Sequence, residues 1–304
     1  MDRAYERYGR VSQISWSLGY LGLLGYIFAI VSYRLPIGEA SIILALIGVF
    51  LEPRRLKLPQ FLILFGVFLA WSALWSVASQ FSGAVFMSLE TGVKLWAIAF
   101  VAVNVIRTPA QFRFFIVFFI ACFAFWPARG AIFNFLRGYT AWDRAIWKFI
   151  FENPNDLAAL CFLPLSIAWA LVATERRGLF RWGALASVVV FPLLILLTQS
   201  RGAFLALLVV AGVGFFRHKK KAKAMFLGGA MAVLALAMIP NSAWERFRGV
   251  ATLTNLENVA EADEEGSAEQ RLNIWKTAWI IIKDHPFSGV GLGAYSQAHV
   301  RYAA

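Results

Sequence analysis

Charge, histidine and cysteine are all scarce in this chain. Only 15% of its 304 residues are Asp, Glu, Lys or Arg, where a soluble globular domain has about a quarter. Apolar side chains take their place and make up 60% of the sequence. That balance excludes an ordinary soluble enzyme and points to an integral membrane protein. The two cysteines, Cys122 and Cys161, lie inside apolar runs, so neither a disulfide framework nor a thiolate metal site is expected. The three histidines are His218, His285 and His299. They show no zinc spacing and no triad pattern, and nothing local orients them. Carboxylates crowd only at Glu257, Glu261, Asp263, Glu264 and Glu265, which reads as a solvated loop. No repeat of solenoid type is present.

What the chain has in abundance is long apolar runs. A span needs about 20 mostly apolar residues, within a range of about 17–25. Nine candidates lie near 12–33, 37–51, 59–78, 86–106, 112–132, 155–174, 182–198, 202–216 and 222–240. The expected fold is therefore all-α, a polytopic transmembrane helical bundle. The first run has no convincing cleavage site and reads as a retained helix. Residues 1–240 would form the membrane domain and 241–304 an extracytoplasmic loop region.

The 29 Lys and Arg outnumber the 17 Asp and Glu, for a net charge of +12. The basic residues gather in short loops rather than in a stripe, so they read as topology determinants and not as a nucleic-acid surface. One side holds Arg3, Arg7, Arg10, Arg54, Arg55, Lys57, Arg107, Arg113, Arg176, Arg177, Arg181 and the run "RHKKKAK" (217–223). The positive-inside rule puts that side in the cytoplasm. The loop 133–154, the turn with Arg201 and the tail from Asn241 then lie outside.

A few polar groups interrupt the apolar pattern. The stretch "TQSRGAF" (198–204) sets Arg201 between two apolar runs. An Arg at the bilayer centre costs about 2.5–3.5 kcal/mol, but the charge count moves this one to the outer surface. Ser200-Arg201-Gly202 opens a helix, whose free N–H groups and positive end favour an anion. Gly202 would let backbone approach a ligand, and the Arg fork suits phosphate oxygens. An Arg that merely snorkels to the headgroups is the plainer alternative.

In "SAEQRLNIWKTAWIIIKDHP" (267–286), Ser267 and Gln270 form a capping box and Pro286 stops the helix. Leu272, Trp275, Trp279 and Ile282 make an apolar face suited to the membrane interface. Arg271 borders that face in the first turn, where the helix dipole disfavours it unless an anion also binds. The following "GVGLGAY" (289–295) is neither a P-loop nor a dinucleotide fingerprint. It reads as a flexible turn where backbone approaches something closely. In "ENPNDLA" (152–158), Asn155 or Asp156 can cap a helix that Pro154 enters. Lys94 either pairs with Glu90 one turn earlier or faces a cavity.

Taken together, "FENPND", "LLTQSRGAFLALL" and "R…W…A…IIKDHPFSGVGLGAY" resemble the O-antigen ligase and polymerase superfamily, with its related O-linked oligosaccharyltransferases, over about residues 150–304. The resemblance implies a GT-C-like glycosyltransferase of the bacterial inner membrane. It would move a glycan from an undecaprenyl-pyrophosphate carrier to a lipid A-core, glycan or protein hydroxyl at the periplasmic face, with inversion and without a metal or other cofactor. Arg201 and Arg271 would hold the pyrophosphate, with Ser200, Gly202 and Lys94 as further candidates. The family's base histidine precedes Asn, Ser or Gln, whereas His299 precedes Val300. That base, and further helices, are expected beyond Ala304. A transporter or flippase for a lipid-linked or anionic solute is the alternative, and it should show paired repeats with broken helices.

Overall fold

A computed structural model of the chain describes residues 14–33, 35–52, 55–175, 178–217 and 267–302. Helices account for the regular structure among them. They are α1 (Leu18–Ser32), α2 (Gly38–Leu51), α3 (Gln60–Ser76), α4 (Ser82–Val105), α5 (Pro109–Leu136), α6 (Pro154–Thr174), α7 (Leu179–Leu197), α8 (Arg201–Arg217), α9 (Ser267–Asp284) and α10 (Tyr295–Tyr302). The first eight apolar runs thus become α1 to α8. The ninth run, the residues of "RHKKKAK" after Arg217, the acidic stretch and the expected boundary at 240 lie outside the described residues. Four helices, α4 to α7, are long and apolar enough to cross a bilayer, and α1, α2, α3 and α8 are apolar but shorter.

The surface of these helices explains what their apolar composition is for. On α3, Phe61, Leu64, Phe68, Trp71 and Leu74 recur at helical spacing and are all about half exposed or more. Such a contiguous apolar face is not sustained in water, and it suits lipid.

The chain divides into two compact units. The first comprises Met1–Ile14, Leu24–Gly38 and Pro109–Ala251. Its core lies between α6 and α7. Leu157, Ala158, Cys161, Leu165, Ala168 and Leu171 form the buried stripe of α6, and Ala184, Val188, Phe191, Leu194 and Ile195 belong to the buried set of α7. Small residues in these stripes let the two backbones come close, which is how helices associate where lipid removes the hydrophobic drive. Pro164 and Pro192 lie inside these helices; each removes a backbone donor, which membrane helices tolerate. A π-helical turn, Ala124–Ala128, interrupts α5 at Pro127. Just beyond it, a β-carbon on Gly130 would lie 2.1 Å from the Trp147 ring, so only glycine leaves room for that indole.

The second unit comprises Ser15–Leu23, Glu39–Thr108 and Thr252–Ala304. Here a β-carbon on Gly48 would lie 2.1 Å from the Gly19 nitrogen. Helix α4 packs on α3 with Gly92 against Leu69, and the Trp96 indole donates to the Leu62 carbonyl at 2.8 Å. The "GVGLGAY" turn is legible as a close approach, and its target is the protein itself. Gly289, Gly291 and Gly293 have φ of +59°, +111° and +73°. A β-carbon on Gly293 would meet Ser88, one on Gly291 would meet Val85 and Ser79, and the Ser79 hydroxyl donates to the Val290 carbonyl at 2.7 Å.

Helix α9 starts at Ser267 and ends before Pro286, as its capping signals predict. Its Leu272, Trp275, Trp279 and Ile282 face is exposed, while Thr277 and Ile281 are buried and the Tyr295 hydroxyl donates to the Ile274 carbonyl at 2.6 Å. The helix therefore packs through the opposite side and leaves the tryptophan face outward.

Gly293→Ala combines a left-handed backbone with a clash against Ser88. It should cost about 1–3 kcal/mol and lower the thermal midpoint of the detergent-solubilised protein. An unchanged midpoint would show that the turn is not held against α4.

Candidate functional site

Helix α7 ends in a tightly satisfied turn. Thr198, Gln199 and Ser200 are 0%, 2% and 8% exposed. The Thr198 amide donates to the Leu194 carbonyl at 3.0 Å and its hydroxyl to the Ile195 carbonyl at 2.6 Å. Gln199 has φ +51° and reverses the chain. For a side chain with a β-carbon that conformation costs about 1–2 kcal/mol, so surrounding contacts must hold it. The Phe204 amide then donates to the Ser200 carbonyl at 2.8 Å, which makes Ser200 the residue that opens α8 and Arg201 its first helical position.

The contacts that hold this turn come from the loop between α5 and α6. Ala141 and Arg144 exchange backbone hydrogen bonds around Trp142 and Asp143, whose φ angles are +49° and +58°. Positive φ at both central residues is the type I′ geometry, here without the usual glycine. The Asp143 carbonyl accepts from the Gln199 side-chain Nε2 at 2.7 Å, and the Ala145 backbone amide donates to the Leu197 carbonyl at 2.9 Å. Arg144 ties the corner together. Its Nε donates to the Thr198 carbonyl at 2.7 Å and its Nη2 to Asn155 Oδ1 at 2.6 Å.

Asn155 can accept that bond because it is not the helix cap. Sequence alone offers Asn155 or Asp156 for that role, but the cap is Asn153, whose side chain accepts from the Asn155 and Asp156 amides at 2.8 and 3.4 Å. Pro154 is the first helical residue, where its missing N–H costs nothing, and so the residue before it becomes the cap. Among the described residues, five other than glycine have positive φ: Tyr33, Trp142, Asp143, Phe149 and Gln199. All belong to the first unit, and the Tyr33 ring stacks on Phe149 at 4.4 Å. Backbone strain of this kind persists only where surrounding structure over-determines it, and it concentrates at functional sites.

Ser200, Arg201 and Gly202 therefore share one braced turn. Arg201 is half-buried. A β-carbon on Gly202 would meet nothing within 4 Å, so the space beside that glycine is open, whereas Ala203 next to it is buried. Lys94 is a different case. It lies 2.7 Å from Glu39 Oε1 and 2.8 Å from Glu90 Oε1, so the pairing reading holds. Two carboxylates around one ammonium leave little attraction for a third anion. Arg271 is an exposed residue of α9. Arg201 belongs to the first unit, and Lys94 and Arg271 to the second.

The histidines differ from expectation in one respect. His285 does have an orienting partner, since its Nε2 lies 3.0 Å from the Tyr302 hydroxyl. The His299 ring lies 5.7 Å from that of Tyr295. Sequence reasoning missed Arg144. The only signal for it was indirect: two polar motifs, "ENPND" and "TQSRG", each needing a partner.

Residues 185–304, about two-fifths of the chain, match the O-antigen ligase family. The matched residues take in Arg201 and Arg271; Lys94, Arg144 and Asn155 fall before them. They start later than the residue near 150 from which the resemblance is read. No curated protein and no solved structure matches the chain.

Arg144→Lys keeps the charge but loses the planar fork. With one charge-assisted bond gone, it should cost about 1.5–3 kcal/mol and speed amide exchange at Gln199 and Ser200. Hydrogen-exchange mass spectrometry reads both the turn and the α6 start; unchanged exchange at the turn would remove Arg144 from its bracing role.

Proposed function

We propose that the chain is a glycosyltransferase of the GT-C type, a reading supported by the similarity of residues 185–304 to the O-antigen ligase family. It transfers a glycan from an undecaprenyl-pyrophosphate carrier to a hydroxyl of lipid A-core, another glycan or a protein. The reaction takes place at the periplasmic face of the bacterial inner membrane, with the N-terminus of the chain in the cytoplasm. One observation carries the reading: Arg201 is the first helical residue of α8, on a strained, braced turn with open space beside Gly202.

The chemistry follows from charge. The acceptor hydroxyl oxygen attacks the anomeric carbon as the bond from that carbon to the diphosphate oxygen breaks, and the electron pair leaves with the diphosphate. Configuration inverts, and the hydroxyl proton passes to a general base, a role assigned to neither His285 nor His299. Negative charge grows on the leaving group, so donors fixed in advance at that position lower the barrier. Arg201 supplies a bidentate fork, and the N-terminus of α8 supplies amides and a partial positive charge. Arg271, in the first turns of α9, is the second cation of the clamp. Ser200 sets the cap, and Gly202 keeps a β-carbon out of the donor's space. Lys94 is left out, because its carboxylate partners already neutralise it.

Arg201→Ala and Arg271→Ala should each lower transfer by about 10²–10³-fold, the usual effect of losing one fixed donor to a developing anion. Protease accessibility should show membrane insertion unchanged. Full transfer in either variant would sink the clamp. Gly202→Ala separates folding from function. It should stabilise α8 by up to about 1 kcal/mol while raising the donor KM, and a stabilised variant with unaltered KM would mean that the donor does not occupy that space.

A further inference from the structure

The second unit carries an ionic cluster at a depth where charge is costly. The Lys94 ammonium lies 2.7 Å from Glu39 Oε1 and 2.8 Å from Glu90 Oε1. Lys94 and Glu90 belong to α4, and Glu39 to the first turn of α2. The packing of α4 on α3 fixes their level. Trp96 donates to the Leu62 carbonyl and Gly92 faces Leu69, so Lys94 lies between those two levels. The exposed apolar face of α3 runs from Phe61 to Leu74, and Lys94 falls near its middle. A face of that kind sits in hydrocarbon, and the cluster sits at the same depth.

The described residues leave the cluster open. The Glu39 and Glu90 side chains are 78% and 65% exposed, and that of Lys94 is 40% exposed. A charged side chain facing lipid tails is strongly disfavoured, and ionisable groups within spans normally face protein or a cavity. Mutual pairing answers only part of the need. Two carboxylates share one ammonium, which leaves one negative charge uncancelled. Glu39 is helped by the positive end of α2. Glu90 lies more than two turns into α4 and has no such help, so the excess charge falls on it.

Apolar side chains surround this charge. Ile43, Ile47 and Phe50 continue the Glu39 stripe of α2 at helical spacing, and Phe86 and Val93 flank Glu90 on α4; all five are about half exposed or more. The Phe50 and Phe100 rings, 6.4 Å apart, hold the two helices side by side. An apolar face with one unanswered negative charge fits a membrane-spanning helix that brings a positive one. Polar groups on facing helices favour association, since hydrocarbon offers them no other partner. We propose that α2 and α4 form a docking surface for a transmembrane helix of another protein, whose mid-membrane Lys or Arg pairs with Glu90. A second copy of this face would bring its own excess negative charge, so the surface does not pair with itself. The docking surface is independent of the transfer reading and uses none of the residues of the clamp.

The test places the fluorescently labelled full chain in phosphatidylcholine liposomes with synthetic apolar helices of about 20 residues. Energy transfer reads binding. One helix carries Arg at its centre, a second carries Gln there, and a third carries its Arg about two turns from the centre. The central-Arg helix should bind about tenfold more tightly than either of the others. Glu90→Gln should erase that preference, and Glu39→Gln should reduce it by less. Should Glu90→Gln fail to insert, the comparison of the three helices on the unaltered chain still decides.

Equal binding of the Arg and Gln helices, or a preference that survives in Glu90→Gln, overturns the docking surface. So does binding that ignores the depth of the arginine. Energy transfer between differently labelled copies of the chain that Glu90→Gln abolishes, and that the central-Arg helix does not displace, would assign the face to a second copy and overturn the proposal as well.

Discussion

One guanidinium holds the described corner of the first unit in shape. The last carbonyls of a helix have no partner within it, and Thr198 carries such a carbonyl at the end of α7. Arg144 fills it with Nε and reaches Asn155, in the first turn of α6, with Nη2. A cation there also suits the negative end of the α7 dipole. The same side chain thus joins the end of one helix to the beginning of its closest neighbour. The left-handed residues around it, Trp142, Asp143 and Gln199, depend on that connection. None would keep its conformation as an isolated peptide.

Three of the chain's cations differ in what surrounds them. Lys94 pairs with Glu39 and Glu90 at an exposed position. Arg144 spends its fork on a carbonyl and an amide oxygen, both neutral. Arg201 starts a helix whose own end is positive.

Much of this architecture is legible in the sequence because membrane helices advertise themselves by composition. Eight apolar runs become helices at nearly the expected places, since nothing but a helix satisfies its backbone in lipid. The site is less legible. Arg201 stands out because it interrupts an apolar context, whereas Arg144 sits in a loop where an arginine is unremarked and its carbonyl partner lies 54 positions away. The glycines of 289–293 declare a close approach but not its target, because the contacting serines, Ser79 before α4 and Ser88 within it, are some 200 residues away in sequence. On α9 the visible stripe of Leu272, Trp275, Trp279 and Ile282 hides a second, subtler one: Ile274, Thr277 and Ile281 pack inward, and a hydroxyl in that row blurs the periodicity. The cap of α6 shifts from Asn155 to Asn153 for a local reason, the proline between them.

The pairing of Gly130 with Trp147 limits how this region can change. The indole occupies the volume that any other residue at 130 would fill, and the segment that carries it also carries Arg144. The segment from 137 to 153 is therefore not an interchangeable surface module. Grafting it from another protein would succeed only if the recipient helix brought its own notch at the same depth, and a change at either partner would have to be answered by the other.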